Sequence, residues 1–115
     1  MDLEACRKFC KSLPAATEDI KWGHDLCFSI GGKMFFVISL EAPHTFSFKV
    51  SDEDFEELCE RKDIIPAPYM AKNKWVQVQK RSAFRPKEWE HYLQQSYEII
   101  KSKLTKKLQK EIDGA

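Results

Sequence analysis

No stretch of this sequence is apolar for long enough to cross a bilayer, which takes about 20 such residues in a row. The first ten, MDLEACRKFC, mix charge throughout and leave no separate apolar segment of the kind a secretory signal needs. The expectation is a cytoplasmic protein with no membrane partner. The four cysteines form no CxxC pair. Cys6 and Cys10 lie one helical turn apart, but no neighbouring His completes a tetrahedral metal site. Nothing points to secretion, so these two, with Cys27 and Cys59, read as reduced thiols serving as small hydrophobes. No metal and no cofactor is expected. A formal net charge of +1 gives no global attraction to a polyanion. No repeat, linker or low-complexity segment interrupts the chain, so its 115 residues read as one domain, 1–115, long enough to bury a core.

What is present is a run of short periodic segments. Leu3, Cys6, Phe9, Cys10 and Leu13 recur at helical spacing and predict a helix over 2–13, ended by Pro14. Residues 18–22, 26–30 and 33–40 read as strands. Gly31-Gly32 between the last two supplies the positive φ angles of a two-residue hairpin. Thr45 to Val50 is a further strand with Phe46 and Phe48 on one face and Lys49 on the other. Ser51 caps a helix over about 52–59, with Asp54 in the place of a capping-box partner. Residues 64–70, IIPAPYM, hold two prolines and read as a rigid extended connector. Residues 74–79 alternate as a strand, with Trp75 on one face and Val76 and Val78 on the other. Pro86 opens one long helix with a seam of Trp89, Leu93, Ser96, Ile100, Leu104 and Leu108. It thins into lysines before a tail, 113–115. Strands joined by tight turns pair antiparallel, and the terminal helices each have one apolar stripe. The fold class expected is therefore α+β, a two-layer sandwich with an antiparallel sheet and helices on one face.

The bases gather in the C-terminal third and the acids in the middle. Helix ends account for much of this: Asp52, Glu53 and Asp54 stand at a helix start and Lys101 to Lys110 at a helix end, as the helix dipole favours.

Several segments together resemble the MmcQ/YjbR family of small bacterial proteins. They are Leu13-Pro14 followed by Glu18-Asp19, Lys21-Trp22-Gly23-His24, Phe28 with Gly32-Lys33-Met34-Phe35, and Phe48-Lys49-Val50. Asp54-Phe55 with Leu58, Ile65-Pro66-Ala67-Pro68-Tyr69, Lys74-Trp75-Val76 and Ser96-Tyr97 follow in the family's order. The resemblance implies a fold like that of the frataxin-type CyaY proteins, and a "double-wing" motif with DNA as ligand. Iron is not carried over, because the first helix offers only Asp2 and Glu4 among Arg7, Lys8 and Lys11, and hard cations need clustered oxygens.

Two candidate sites follow. For nucleic acid, phosphate contacts need clustered bases beside a stacking group. Lys33 after the hairpin turn, Lys49, Lys72, Lys74, Trp75 and Arg81 form that set, with Lys80 and Arg85 nearby. The alternative is a protein-interaction or small-ligand site on the uncovered sheet face, built from Trp22, His24 and Tyr69. His24 beside Asp25 is the only pairing with a catalytic look. Adjacent strand residues face opposite ways, however, and no Ser or Cys stands as an evident nucleophile. The expectation is a non-enzymatic binding domain, monomeric, with DNA, an unidentified protein or a small ligand as partner.

Overall fold

The computed structural model describes residues 2–114. Helix α1 (Leu3–Ser12) begins where the Asp2 carboxylate accepts a 2.8 Å hydrogen bond from the Ala5 amide. It stops at Leu13, which is extended ahead of Pro14. Six strands follow in one sheet: β1 (Thr17–Lys21), β2 (Asp25–Ile30), β3 (Lys33–Ser39), β4 (Phe46–Lys49), β5 (Ile64–Pro66) and β6 (Trp75–Val78). The spatial order is β1-β2-β3-β4-β6-β5, and every neighbouring pair is antiparallel. Helix α2 (Asp52–Cys59) joins β4 to β5, and α3 (Pro86–Ser102) and α4 (Lys106–Asp113) complete the described chain. This is the two-layer α+β sandwich that the periodicity predicts.

The register separates the two faces of the sheet. Phe28, Phe36, Phe48 and Val76 stand opposite one another across four strands, and all four are fully buried. They join one core with Cys6 and Cys10 of α1, Leu58 of α2, and Trp89, Leu93 and Tyr97 of α3. The ring centroids of Phe28 and Phe36 lie 5.7 Å apart, and those of Phe48 and Trp89 lie 6.2 Å apart, within the range of favourable aromatic pairs. The next row, Cys27, Val37, Ser47 and Gln77, points the other way. There Val37, Ser47 and Gln77 are only half-buried, so the centre of this second face is uncovered.

Gly31 and Gly32 turn the β2–β3 hairpin at φ +57° and +81°, angles that cost a residue with a Cβ about 1–2 kcal/mol. The register then shifts: Ser29 pairs with Met34, but Phe28 pairs with Phe36. Phe35 is the extra residue of a bulge, which lets consecutive phenylalanines both enter the core. Ser96 of α3 secures the bulge. Its hydroxyl donates to the Phe35 carbonyl at 2.6 Å and accepts from the Lys49 amide at 3.1 Å, while the residue is fully buried.

Three expectations are corrected. Residues 64–70 are not wholly a connector: Ile64–Pro66 forms β5, which tolerates Pro66 because it lies at the edge of the sheet. The Asp54 carboxylate does not close a capping box; it accepts from Gln95 Nε2 at 2.9 Å, although Ser51 caps as expected. The long C-terminal helix is two helices. Thr105 Oγ1 accepts from the Leu108 amide at 3.2 Å and caps a second start. Leu104 in the break is buried, Leu108 is exposed, and Ile112 takes over as the buried residue. Asp113 belongs to α4, and Ala115 of the expected tail lies outside the described residues. Among the described residues, no helix is long and apolar enough to cross a membrane.

Candidate functional site

The uncovered face holds a cavity of about 390 Å3. Its floor is the row Val37, Ser47 and Gln77, with Asp25, Ser39 and Thr45 at one end. Trp22 and Tyr69 wall it. Trp22 sits in the β1–β2 turn and Tyr69 in the β5–β6 connection, and those strand pairs form opposite edges of the sheet. The two aromatic residues thus reach the same cavity from opposite sides, over the central strands.

Both are held in an unusual way. Trp22 has φ +54° and Tyr69 φ +65°, in the left-handed region that bulky residues rarely enter. Both are also exposed, Trp22 at 66% and Tyr69 completely. The Tyr69 loop is anchored by backbone bonds: Ala67 N donates to Trp75 O at 3.0 Å, Met70 N to Ala67 O at 3.1 Å, and Trp75 N to Met70 O at 3.3 Å. The Trp22 turn is tied by His24 N to Lys21 O at 3.3 Å and by Leu40 N to His24 O at 2.8 Å.

Asp25 carries the only formal charge among the residues lining the cavity. Its side chain is 23% exposed, and its nearest basic group is His24 Nε2 at 3.8 Å. His24 itself stands outside the cavity lining, with Nδ1 4.0 Å from Glu41. The expectation that His24 and Asp25 face apart holds for a strand, but His24 lies in the turn before β2, so its ring swings back toward Asp25. Both separations exceed hydrogen-bond length. Among the described residues, no group of three or more His, Cys, Asp or Glu side chains is placed to hold a metal ion. Cys6 and Cys10 are fully buried. Burial pushes the Cys6 thiol up to about 11 and raises the Cys10 thiol too, the opposite of a reactive thiolate.

The six residues expected to meet nucleic acid are not all at the surface. Lys33 is exposed beside the hairpin turn, Lys72 is exposed, and Lys74 is half-buried with its ammonium 4.9 Å over the Phe55 ring. Lys49 and Trp75 are 8% and 4% exposed. The loop before β6 folds back at this end, and the Lys49 ammonium donates to the Asn73 carbonyl. Burial first, and then the charge of Lys103, lower the Lys49 pKa. Arg81 lies past the far end of β6 from Lys74, beyond four strand residues. Its carbonyl accepts from Trp89 Nε1 at 3.0 Å. Of the alternative trio, Trp22 and Tyr69 come together and His24 stands at the margin. Asp25 is the lining residue that sequence reasoning noticed only as a partner of His24. Alternation from Phe28 and Leu26 already places it on the face away from the core.

An open antiparallel sheet, helices on one face and an aromatic-walled cavity on the other define a small two-layer α+β domain with a concave site. The chain belongs to the YjbR family, whose model matches residues 11–99. It is similar to the crystal structure of Deinococcus radiodurans protein DR2400, of domain DUF419. That match has 26% identity and a TM-score of 0.87, and covers 96% of this chain and 87% of that one. A Pseudomonas syringae protein shares the fold at 16% identity and a TM-score of 0.73, with 87% and 99% of the two chains covered. No curated protein matches the chain.

Proposed function

We propose that this chain is a non-enzymatic binding domain, a cytoplasmic monomer, and that its ligand occupies the cavity on the uncovered sheet face. One observation carries the reading: Trp22 and Tyr69, from opposite edges of the sheet, wall one cavity while exposed and held at positive φ. A left-handed backbone costs each of them about 1–2 kcal/mol. Exposed rings recover little of the burial energy that aromatic side chains otherwise supply. The left-handed φ is what each tight turn takes at that position, closed by His24 N to Lys21 O and by Met70 N to Ala67 O. Placing an exposed aromatic there, where glycine would be unstrained, does not serve stability, and strain of this kind concentrates at ligand sites. The volume fits a small molecule.

A thermal-shift screen tests this. A ligand that binds the folded state and not the unfolded one raises the melting temperature, increasingly with its concentration relative to Kd. Compounds that stabilise the wild type and leave a Trp22→Ala/Tyr69→Ala variant unmoved support the site. Compounds that stabilise both proteins equally refute it.

A second reading, nucleic acid, rests on a different surface. Lys74 and Lys103 both act on Lys49, Leu104 beside Lys103 packs against Gly31, Lys33 follows the same turn, and Lys72 lies in the loop whose Asn73 carbonyl accepts from the Lys49 ammonium. Phosphates would meet these amines, with Lys49 and Trp75 supporting them from inside. The Asp25 end of the cavity would repel the same backbone. Anisotropy of labelled single- and double-stranded DNA across a salt series decides this reading. A steep salt dependence, flattened in Lys72→Ala/Lys74→Ala, supports it; no binding at low salt removes it.

A further inference from the structure

We infer that the cavity between Trp22 and Tyr69 selects a small organic cation, an alkyl-substituted ammonium, over a neutral or anionic ligand of the same shape. The inference rests on the reading that the cavity is the binding site, and adds the charge of its occupant.

Three features of the lining agree. First, its only formal charge is the Asp25 carboxylate, and no Lys or Arg lines the cavity. Second, that carboxylate is poorly neutralised. Its side chain is 23% exposed, with only the His24 ring nearby at 3.8 Å. Lys21 stands opposite it across β1 and β2, yet among the described residues no Lys or Arg nitrogen comes within 4.0 Å. A part-buried carboxylate whose one basic neighbour, His24, lies beyond hydrogen-bond length leaves room for a further positive charge. Third, the walls are two aromatic rings, whose faces attract cations that are weakly hydrated. Met34 and Met70 add polarisable sulfur. An alkylammonium keeps its charge for Asp25 and presents methyl groups to the rings. An anion would meet a carboxylate and find no base. The cavity of about 390 Å3 has the size of a small-molecule site, so a free metabolite-sized cation is the occupant argued here.

The test uses the full chain, with choline as the probe and 3,3-dimethylbutan-1-ol as its uncharged isostere. Trp75 and Trp89 are buried and Trp22 alone of the three lines the cavity, so a change in tryptophan emission on adding a small ligand reports chiefly on the cavity wall. Choline is expected to change the emission saturably, and the isostere to bind several-fold more weakly. Asp25→Asn should weaken choline about three- to fivefold, the value of one partly exposed ion pair, and leave the isostere unaffected. Tyr69→Ala should weaken choline about two- to fivefold; its side chain is fully exposed, so the fold is retained. Equal binding of choline and its isostere, or no effect of Asp25→Asn, overturns the inference. So does the absence of saturation by choline through the millimolar range. If neutral compounds then bind in a manner dependent on Trp22 and Tyr69, the site stands and only the cation is lost. If no compound does, both fall.

Discussion

Replacing Ser96 with alanine removes one oxygen from the middle of α3 and leaves two buried backbone groups unpartnered. The hydroxyl bridges the Phe35 carbonyl at 2.6 Å and the Lys49 amide at 3.1 Å, and the residue has no exposure. An unsatisfied buried polar group costs about 1–3 kcal/mol. Two of them, partly relieved by relaxation of the bulge, give a loss of about 2–4 kcal/mol. Domains of this size are stable by only about 5–15 kcal/mol, and each kcal/mol moves the melting temperature by roughly 4 °C. The expected fall is roughly 8–16 °C, measured by circular dichroism together with the urea midpoint. Ser102 of the same helix supplies the control. It is exposed, and its hydroxyl donates to the Ile99 carbonyl within its own helix, so Ser102→Ala should stay within about 0.5 kcal/mol. If the two substitutions have equal effect, the serine bridge does not hold α3 to the bulged strand.

Gly31→Ala should destabilise more than Gly32→Ala in thermal denaturation. Both positions have positive φ, but an added Cβ at Gly31 comes 2.6 Å from Leu104 Cδ1, while at Gly32 it meets nothing within 4 Å. The difference should shrink when Leu104 is first cut to alanine, as neighbouring sites couple. Arg7 donates to both carboxylate oxygens of Glu18, at 2.6 and 2.8 Å. That hydrogen bonding is the main reason the Glu18 carboxyl lies below its ordinary value. A depressed carboxylate stabilises the fold above its unfolded pKa, about 4.3, and this contribution is lost as pH falls through the folded value. Arg7→Ala should therefore lower the urea midpoint at neutral pH and flatten its decline with acid. Trp22→Ala and Tyr69→Ala should change stability by less than about 0.5 kcal/mol; a large loss in either would show that these rings serve the fold.

The layered fold is legible because its signals are local. Alternation at Phe46 and Phe48, and at Val76 and Val78, places these side chains in the core. Gly31-Gly32 marks the hairpin, and Ser51 and Pro86 mark the starts of α2 and α3. Signals that compete with a stronger one are harder to see. The prolines of IIPAPYM hide a strand that survives only because the sheet ends there. The lysines after Ile100 hide a helix break whose cue is Thr105. The candidate site is legible in part, for a different reason. Alternation puts Lys49 and Trp75 on the face away from the helices, and the register agrees. The burial of Lys49 comes with the loop of residues 67–74 folding back, where the Asn73 carbonyl accepts from its ammonium, a long-range event that periodicity does not contain. In the same way, Trp22 and Tyr69 are 47 residues apart in sequence, and only the strand order brings their loops over one cavity.

The most direct measurement of the central claim is the map of backbone amide shifts in 1H–15N spectra as ligand is added, using choline in one series and short DNA in another. Ligand binding in the cavity means that choline moves the amides of Val37, Ser39, Ser47 and Gln77 together with the Trp22 and Tyr69 loops, and that DNA leaves these in place. Shifts confined to Lys33, Lys72, Lys74 and Lys103 on adding DNA, with the cavity amides silent toward choline, would contradict it.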